Sequence, residues 1–286
     1  MDFRLTEDQR ALRRGVRELL AGRFDREVLR GLVDAPALDR ELWRELGDAG
    51  FFSLRLPEAE GGVGLGLPEA VLVFEEAGRV LLPGPLVSTH VAAGAVPGAA
   101  DGSVVVTSVD EGLVPWLDEA DVVLGDVTGA VPVRSVDPLT PLHRVPGHVG
   151  TTGAEAVLLT AAEQVGSAAA TTDMAVSYAR QRVQFGQVIG GFQAVKHLCA
   201  GMLVRVELAR AAVWAAAVTG DPVEVAGAKL LADDAAVGNA RDCLQVHGGM
   251  GFTWEADVHL HLKRAWVRAE LGMTAARAEE TVAAGL

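Results

Sequence analysis

Cysteine is almost missing from this chain, and the two that occur stand alone. Cys199 and Cys243 sit on separate helical patterns with no C-x-x-C spacing, which excludes a disulfide scaffold and leaves both as packed core rather than redox centres. A basic surplus is also missing. The net charge is −13 and the Lys and Arg residues are scattered, so neither nucleic acid nor an anionic membrane is an expected partner. No apolar run approaches the length of a membrane span. Residues 1–20 mix Asp2, Glu7, Asp8 and Glu18 among their arginines, unlike a signal or transit peptide, and the expected location is the cytoplasm. Metal chemistry has no motif to stand on. His259 and His261 are two apart, which on a helix turns them to different faces. No internal repeat or low-complexity linker interrupts the sequence.

What the chain does have is apolar content, 50% over 286 residues, enough to bury a large core. It reads in three parts. Residues 1–97 form a helical domain with turns at Gly22-Arg23, Ala35-Pro36 and the Pro57 to Pro68 loop, and with Leu19, Leu20, Leu46, Phe51, Phe52, Leu72 and Phe74 as its core. Glu75 and Glu76, at the end of one of these helices, read as solvent-facing or interface charges. Residues 98–150 change texture to short valine runs, Val104 to Val106, Val122 to Leu124 and Val131 to Val133, separated by Gly, Asp and Pro, which predicts a small β insert. Residues 151–286 are helical again, with Asp221-Pro222 as cap and first turn of a helix reaching His247. The predicted class is mainly α: an N-terminal helical domain, a reduced β insert and a C-terminal helical bundle.

Within the last part, RQRVQFGQVIGGFQAVKH (Arg180 to His197) joins two long helical patterns through a charged, glycine-marked bend. Arg182 and Gln184 there suit a diphosphate, the first as a planar fork and the second as an amide, while Phe185 offers an apolar face to an aromatic ring. A polar helix–helix turn with Phe185 plugging the core is the plainer alternative. Further on, CLQVHGGMGFTWEADVHLHLKRA (Cys243 to Ala265) ends a helix on Gly248, Gly249 and Gly251, where backbone is free to approach a ligand.

Taken together, the two segments resemble the acyl-CoA dehydrogenase family, whose C-terminal domain reads R-x-x-F-G, then F-Q, then Q-x-x-G-G-x-G-[FY]. The start, MDFRLTEDQRALRRGVRELL, resembles the family's first helix, and the segment from Leu56 to Ala95 resembles its proline and double-glycine turn with the helices that follow. The resemblance covers about the first 98 residues and the last 130. It implies the family's fold, with a C-terminal four-helix bundle, and FAD as cofactor. By position, Arg182 and Gln184 would face the pyrophosphate, Phe185 and Ile189 would line the adenosine region, Gln193 would lie beside them, and Gln245, Gly248 and Gly249 would complete the grip.

The middle of the chain departs from the family. Relatives carry a β domain roughly twice as long, with a T-E-P-x-x-G-S-type loop and a W-I-[ST]-N strand against the flavin ring. Neither stands here, and Trp116 reads as a hydrophobic anchor of the shortened insert. The catalytic carboxylate is also out of register. Aligning Gly272 with the family's glycine puts Leu271 at one base position, with Glu270 turned about 100° away, and Ala156 occupies the other, with Glu155 beside it. Both glutamates therefore read as surface charges. The resemblance thus implies a subunit that holds the ADP part of FAD for a longer partner chain carrying ring site and base. That arrangement is similar to the α2β2 acyl-CoA dehydrogenases of actinobacteria acting on steroid side-chain thioesters. A non-catalytic scaffold, or a flavin-free thioester enzyme of hydratase type with a convergent acid–base pair, are the alternatives.

Overall fold

The computed structural model describes residues 4–147 and 152–285. Five helices open the chain: α1 (Glu7–Arg23), α2 (Arg26–Asp34), α3 (Arg40–Asp48), α4 (Leu67–Arg79) and α5 (Leu86–Ala92). Local chemistry starts them. Thr6 Oγ1 accepts from Gln9 N while Gln9 Oε1 accepts from Thr6 N, a reciprocal cap on α1. The Asp25 and Asp39 carboxylates accept from the first free N–H groups of α2 and α3. Leu20, Leu46, Phe51, Phe52, Leu72 and Phe74 are buried, as their spacing predicts, and Leu19 is half-buried against them. At Pro83-Gly84-Pro85 the chain turns with Gly84 at φ +112°. A Cβ there would stand 2.4 Å from the Trp43 ring, so only glycine fits.

The insert is a pair of small sheets. β1 (Val106–Ser108) pairs in parallel with β3 (Val122–Leu124), while β2 (Leu113–Pro115) and β4 (Val131–Val133) flank β5 (Leu142–Arg144) in antiparallel fashion. Three strands fall on or beside the valine runs; β2 and β5 carry Pro115 and His143 and gave no such signal. Trp116 is buried as an anchor, at the left-handed φ of +59°. Arg264 ties the parts together. Its Nε donates to Asp137, its Nη2 to Leu139 O, and its Nη1 to Leu82 O at 3.3 Å, so one guanidinium joins insert, N-terminal helices and bundle.

The C-terminal part contains α6 (Ala154–Gln181), the short strands β6 (Val183–Gln184) and β7 (Gln187–Val188), α7 (Gln193–Thr219), α8 (Pro222–His247), α9 (Val258–Ala269) and α10 (Ala275–Ala284). Asp221 caps α8 through Val223 N and Glu224 N, with Pro222 at the first helical position. Helices α4 and α6 cross almost backbone to backbone. A Cβ on Gly166 would lie 1.9 Å from Glu75 O, and one on Gly78 2.1 Å from Glu163 O. That approach carries Glu75 and Glu76 inward, against expectation: both are buried, Glu75 under Arg210 at 2.9 Å and Glu76 under Arg17 at 2.7 Å and Arg13 at 3.1 Å. Burial of the two carboxylates is tolerable because an arginine fork meets each.

Candidate functional site

The residues of the two glycine-marked segments meet at one end of the bundle. Tyr178, in the last turn but one of α6, stacks on His247, the last residue of α8, with ring centroids 4.1 Å apart. Leu244, Val246 and Ile189 belong to the same apolar cluster under that stack. Arg182 caps α6: its N–H donates to Tyr178 O, and its carbonyl accepts from Ile189 N at 2.8 Å. Between them the chain folds into a two-residue hairpin, Val183 opposite Val188 and Gln184 opposite Gln187, with Phe185 at φ +53° and Gly186 at +81°. This turn lifts Phe185 outward. Its ring is 92% exposed and touches Phe192 edge-on at 6.1 Å, so it does not plug the core.

Around this hairpin the remaining candidates are accessible. Arg182, Gln184, Gln193 and Gln245 are exposed, and Ile189 is half-buried. The Gln184 amide turns back onto Val183 O at 2.7 Å, and the Gln193 amide lies 3.5 Å from His197 Nε2. Phe192, at the cap of α7, offers no side-chain acceptor, so the first N–H groups of this 27-residue helix point outward unpaired by a cap. Gly248 has φ +60°, and a Cβ on Gly248 or Gly249 would meet nothing within 4 Å, which leaves their backbone open to a ligand. An arginine fork, a long helix N-terminus and bare glycine backbone form a donor set that fits a diphosphate, and the ADP half of FAD fits this ledge on those grounds.

A cavity of about 380 Å³ lies between α5, the insert, α6 and α9. Ala156 and Leu271, the two positions that the family resemblance gives to a catalytic base, both line it. Neither neighbouring glutamate does. Glu155 turns onto Arg55 and His90, and although burial pushes its pKa up, hydrogen bonds from those two groups prevail and hold it down at about 2. It is ion-paired rather than a free surface charge, and it is far too weak a base at neutral pH. Glu270 caps the end of α9 and is exposed.

Two other carboxylates do reach the cavity, and nothing local in the sequence marked them. Glu163 accepts from Arg268 Nη2 at 2.7 Å, and Asp110 accepts from Thr152 Oγ1 at 2.5 Å and Gly272 N at 2.8 Å. Burial pushes both above the usual carboxylate range. Each is already occupied by structural donors, so the convergent acid–base pair of a hydratase-type site is not formed by them. Among the described residues no cluster of His, Cys, Asp and Glu suits a metal ion, and no helix is long and apolar enough to cross a membrane.

Comparison with known proteins agrees with this architecture. Residues 6–104 match the N-terminal domain of acyl-CoA dehydrogenases and residues 154–285 match the C-terminal domain. The acyl-CoA dehydrogenase IpdE2 of Mycobacterium tuberculosis is 36% identical over 299 residues, covering 93% of each chain. Among solved structures, a chain of the ChsE4–ChsE5 complex from Mycobacterium tuberculosis superposes with a TM-score of 0.81 at 25% identity, covering 99% of this chain and 97% of that one. A chain of the Tcur3481–Tcur3483 steroid acyl-CoA dehydrogenase shares the fold, with a TM-score of 0.84 at 24% identity over 97% of both. With both domain matches in place and a relative of this identity along nearly its full length, the chain belongs to the acyl-CoA dehydrogenase family of FAD-dependent oxidoreductases.

Proposed function

We propose that this chain is the cofactor-holding subunit of a two-component acyl-CoA dehydrogenase that introduces an α,β double bond into an acyl-CoA thioester. The observation that carries this reading is an asymmetry in the molecule. The diphosphate ledge is intact and open, whereas Ala156 and Leu271 leave the cavity without a base and the insert lacks the flavin-ring motifs. Bound FAD supplies the hydride acceptor. This chain's share is binding: Arg182 and the α7 N-terminus hold the diphosphate, Gly248 and Gly249 let backbone approach it, Gln184, Gln193 and Gln245 offer amides, and Phe185 and Ile189 present apolar surface to the adenosine. The carboxylate that takes the α-proton and the pocket for the flavin ring come from a longer partner chain.

Support for a partner also comes from unmatched apolar surface. Leu203, Val204 and Leu208 stand exposed together on α7, and Phe252 and Trp254 stand exposed beyond α8, apolar side chains that a partner chain would cover. Two of the solved neighbours are named as complexes of two different proteins, which favours an α2β2 complex with two flavins, and the steroid enzyme among them favours a steroid side-chain thioester as substrate. Three parts, 1–97, 98–150 and 151–286, are the proposed domain division. The test is flavin content from visible absorbance, for the chain purified alone and with a longer family member. We expect no flavin alone, about one per pair of chains together, and an empty complex for Arg182→Ala. A full flavin on the isolated chain refutes the reading.

A further inference from the structure

We infer that Tyr178 and His247 are a positioning pair, whose ring stack fixes the gap between the two faces of the ledge that grip a diphosphate. The inference rests on the proposed reading of the ledge as the seat of the ADP half of FAD, and adds to it two residues that act through their neighbours. The donors of the ledge come from separate stretches of chain: Arg182 at the end of α6, the first turn of α7, and the bare backbone of Gly248 and Gly249 after α8. A ligand gripped from both sides needs that spacing held to about half an ångström, and side chains locked behind the donors are what hold it.

Each ring is one short link from a donor. Arg182 N–H donates to Tyr178 O at 2.9 Å and Arg182 O accepts from Ile189 N at 2.8 Å, so the backbone of the arginine travels with Tyr178. His247 is bonded directly to Gly248, whose N–H closes the end of α8 on Gln245 O and Leu244 O. The two half-buried rings lie face to face, 22° from parallel, with centroids 4.1 Å apart. Aromatic pairs have preferred geometries, so this contact sets a spacing where an aliphatic one would not. The imidazole is itself locked, because its Nδ1–H donates to Cys243 O at 2.8 Å, one turn back along α8. A carbonyl only accepts, so the hydrogen of the neutral ring sits on Nδ1. No polar contact duplicates the stack. Among the described residues no hydrogen bond or ion pair joins residues 182–189 to residues 244–252, and Ile189, Leu244 and Val246 in the cluster beneath supply apolar packing without direction.

The experiment is calorimetric titration, with ADP and with AMP, of this chain co-purified with a longer family member and freed of flavin. ADP presents two phosphates to donors on both faces, and AMP presents one. Tyr178→Leu and His247→Asn each remove the stack, so ADP affinity falls roughly tenfold while AMP affinity changes by less than about twofold. Tyr178→Phe keeps the ring and recovers the wild-type ratio of the two affinities. His247→Asn, on the other helix, supplies the same comparison if Tyr178→Leu does not fold. A stack that only stabilises the fold lowers the melting temperature and leaves the ADP-to-AMP ratio alone, and that result overturns the inference, as does a Tyr178→Phe variant that behaves like Tyr178→Leu. Arg182→Ala separates the two levels of the argument. ADP binding that survives Arg182→Ala refutes the ledge itself, whereas binding lost in Arg182→Ala but kept in Tyr178→Leu refutes the positioning pair alone. Absence of ADP binding by the wild-type complex refutes both.

Discussion

Gly166→Ala is a small change with a large expected effect, because it adds one methyl group where α4 and α6 cross. An alanine Cβ would lie 1.9 Å from Glu75 O and 2.9 Å from Arg79 N, both backbone atoms. No rotamer can relieve a Cβ clash, so the helices must separate. Overpacking of a tight core costs about 1–3 kcal/mol, and separation here also shifts Glu75 against Arg210 and Glu163, the residue under Gly78. We take about 3 kcal/mol, set against a gain of about 1 kcal/mol from replacing a helical glycine, for a net loss of roughly 2 kcal/mol. At about 2.1 cal/mol/K per residue the unfolding entropy of the chain is roughly 0.6 kcal/mol/K, so Tm falls by about 3–4 °C. The assay is a thermal melt beside Gly227→Ala on α8, where an added Cβ meets nothing within 4 Å and the same replacement raises Tm by 1–2 °C. Equal shifts in the two variants would show that the crossing is not close-packed and refute the argument.

Three further outcomes follow from the paired charges and the thiols. Glu155→Gln removes a carboxylate whose pKa is held down at about 2, with a side chain 31% exposed. After allowance for solvent screening its stabilisation is roughly 1.5 kcal/mol, present above the unfolded pKa near 4.5 and lost as pH falls toward 2. Urea midpoints of wild type and variant should therefore differ at pH 6 and converge near pH 2; a constant gap contradicts the pairing. Arg210→Ala strands Glu75, which is 1% exposed, and costs about 3 kcal/mol in chemical denaturation. Glu75→Gln in the same chain recovers part of that loss, and no recovery would mean that Arg210 acts through packing alone. Burial pushes the Cys243 thiol up to about 12, so iodoacetamide at pH 8 modifies Cys199, which is half-buried, well before Cys243. Mass spectrometry of the labelled peptides reads the order directly.

Where structure follows from neighbours in sequence, the reading from residues held. Asp221-Pro222 starts α8 because a carboxylate and a fixed φ act within one turn, and the valine runs give β3 and β4 because period and branching act within one strand. Where structure depends on distant partners, it was illegible. Glu75 and Glu76 look solvent-facing until arginines 135 and 59 residues away are brought over them. Glu163 and Arg268 are 105 residues apart, so their pairing at the cavity leaves no local trace. Phe185 carried two readings, an apolar face turned to a ligand and a plug for the core, and only the second is overturned. An aromatic residue between two helices is expected inside, but a two-residue turn with positive φ at both places sets the side chain on the outer rim.

That rim position carries two penalties at once. A phenylalanine at φ +53° gives up about 1 kcal/mol to glycine or asparagine, and a ring left 92% in water contributes nothing to the core. Phe185→Gly is therefore expected to make the isolated protein more stable by about 1 kcal/mol. On the proposed function, the hairpin tip is a place where engineering for robustness and preservation of activity pull in opposite directions.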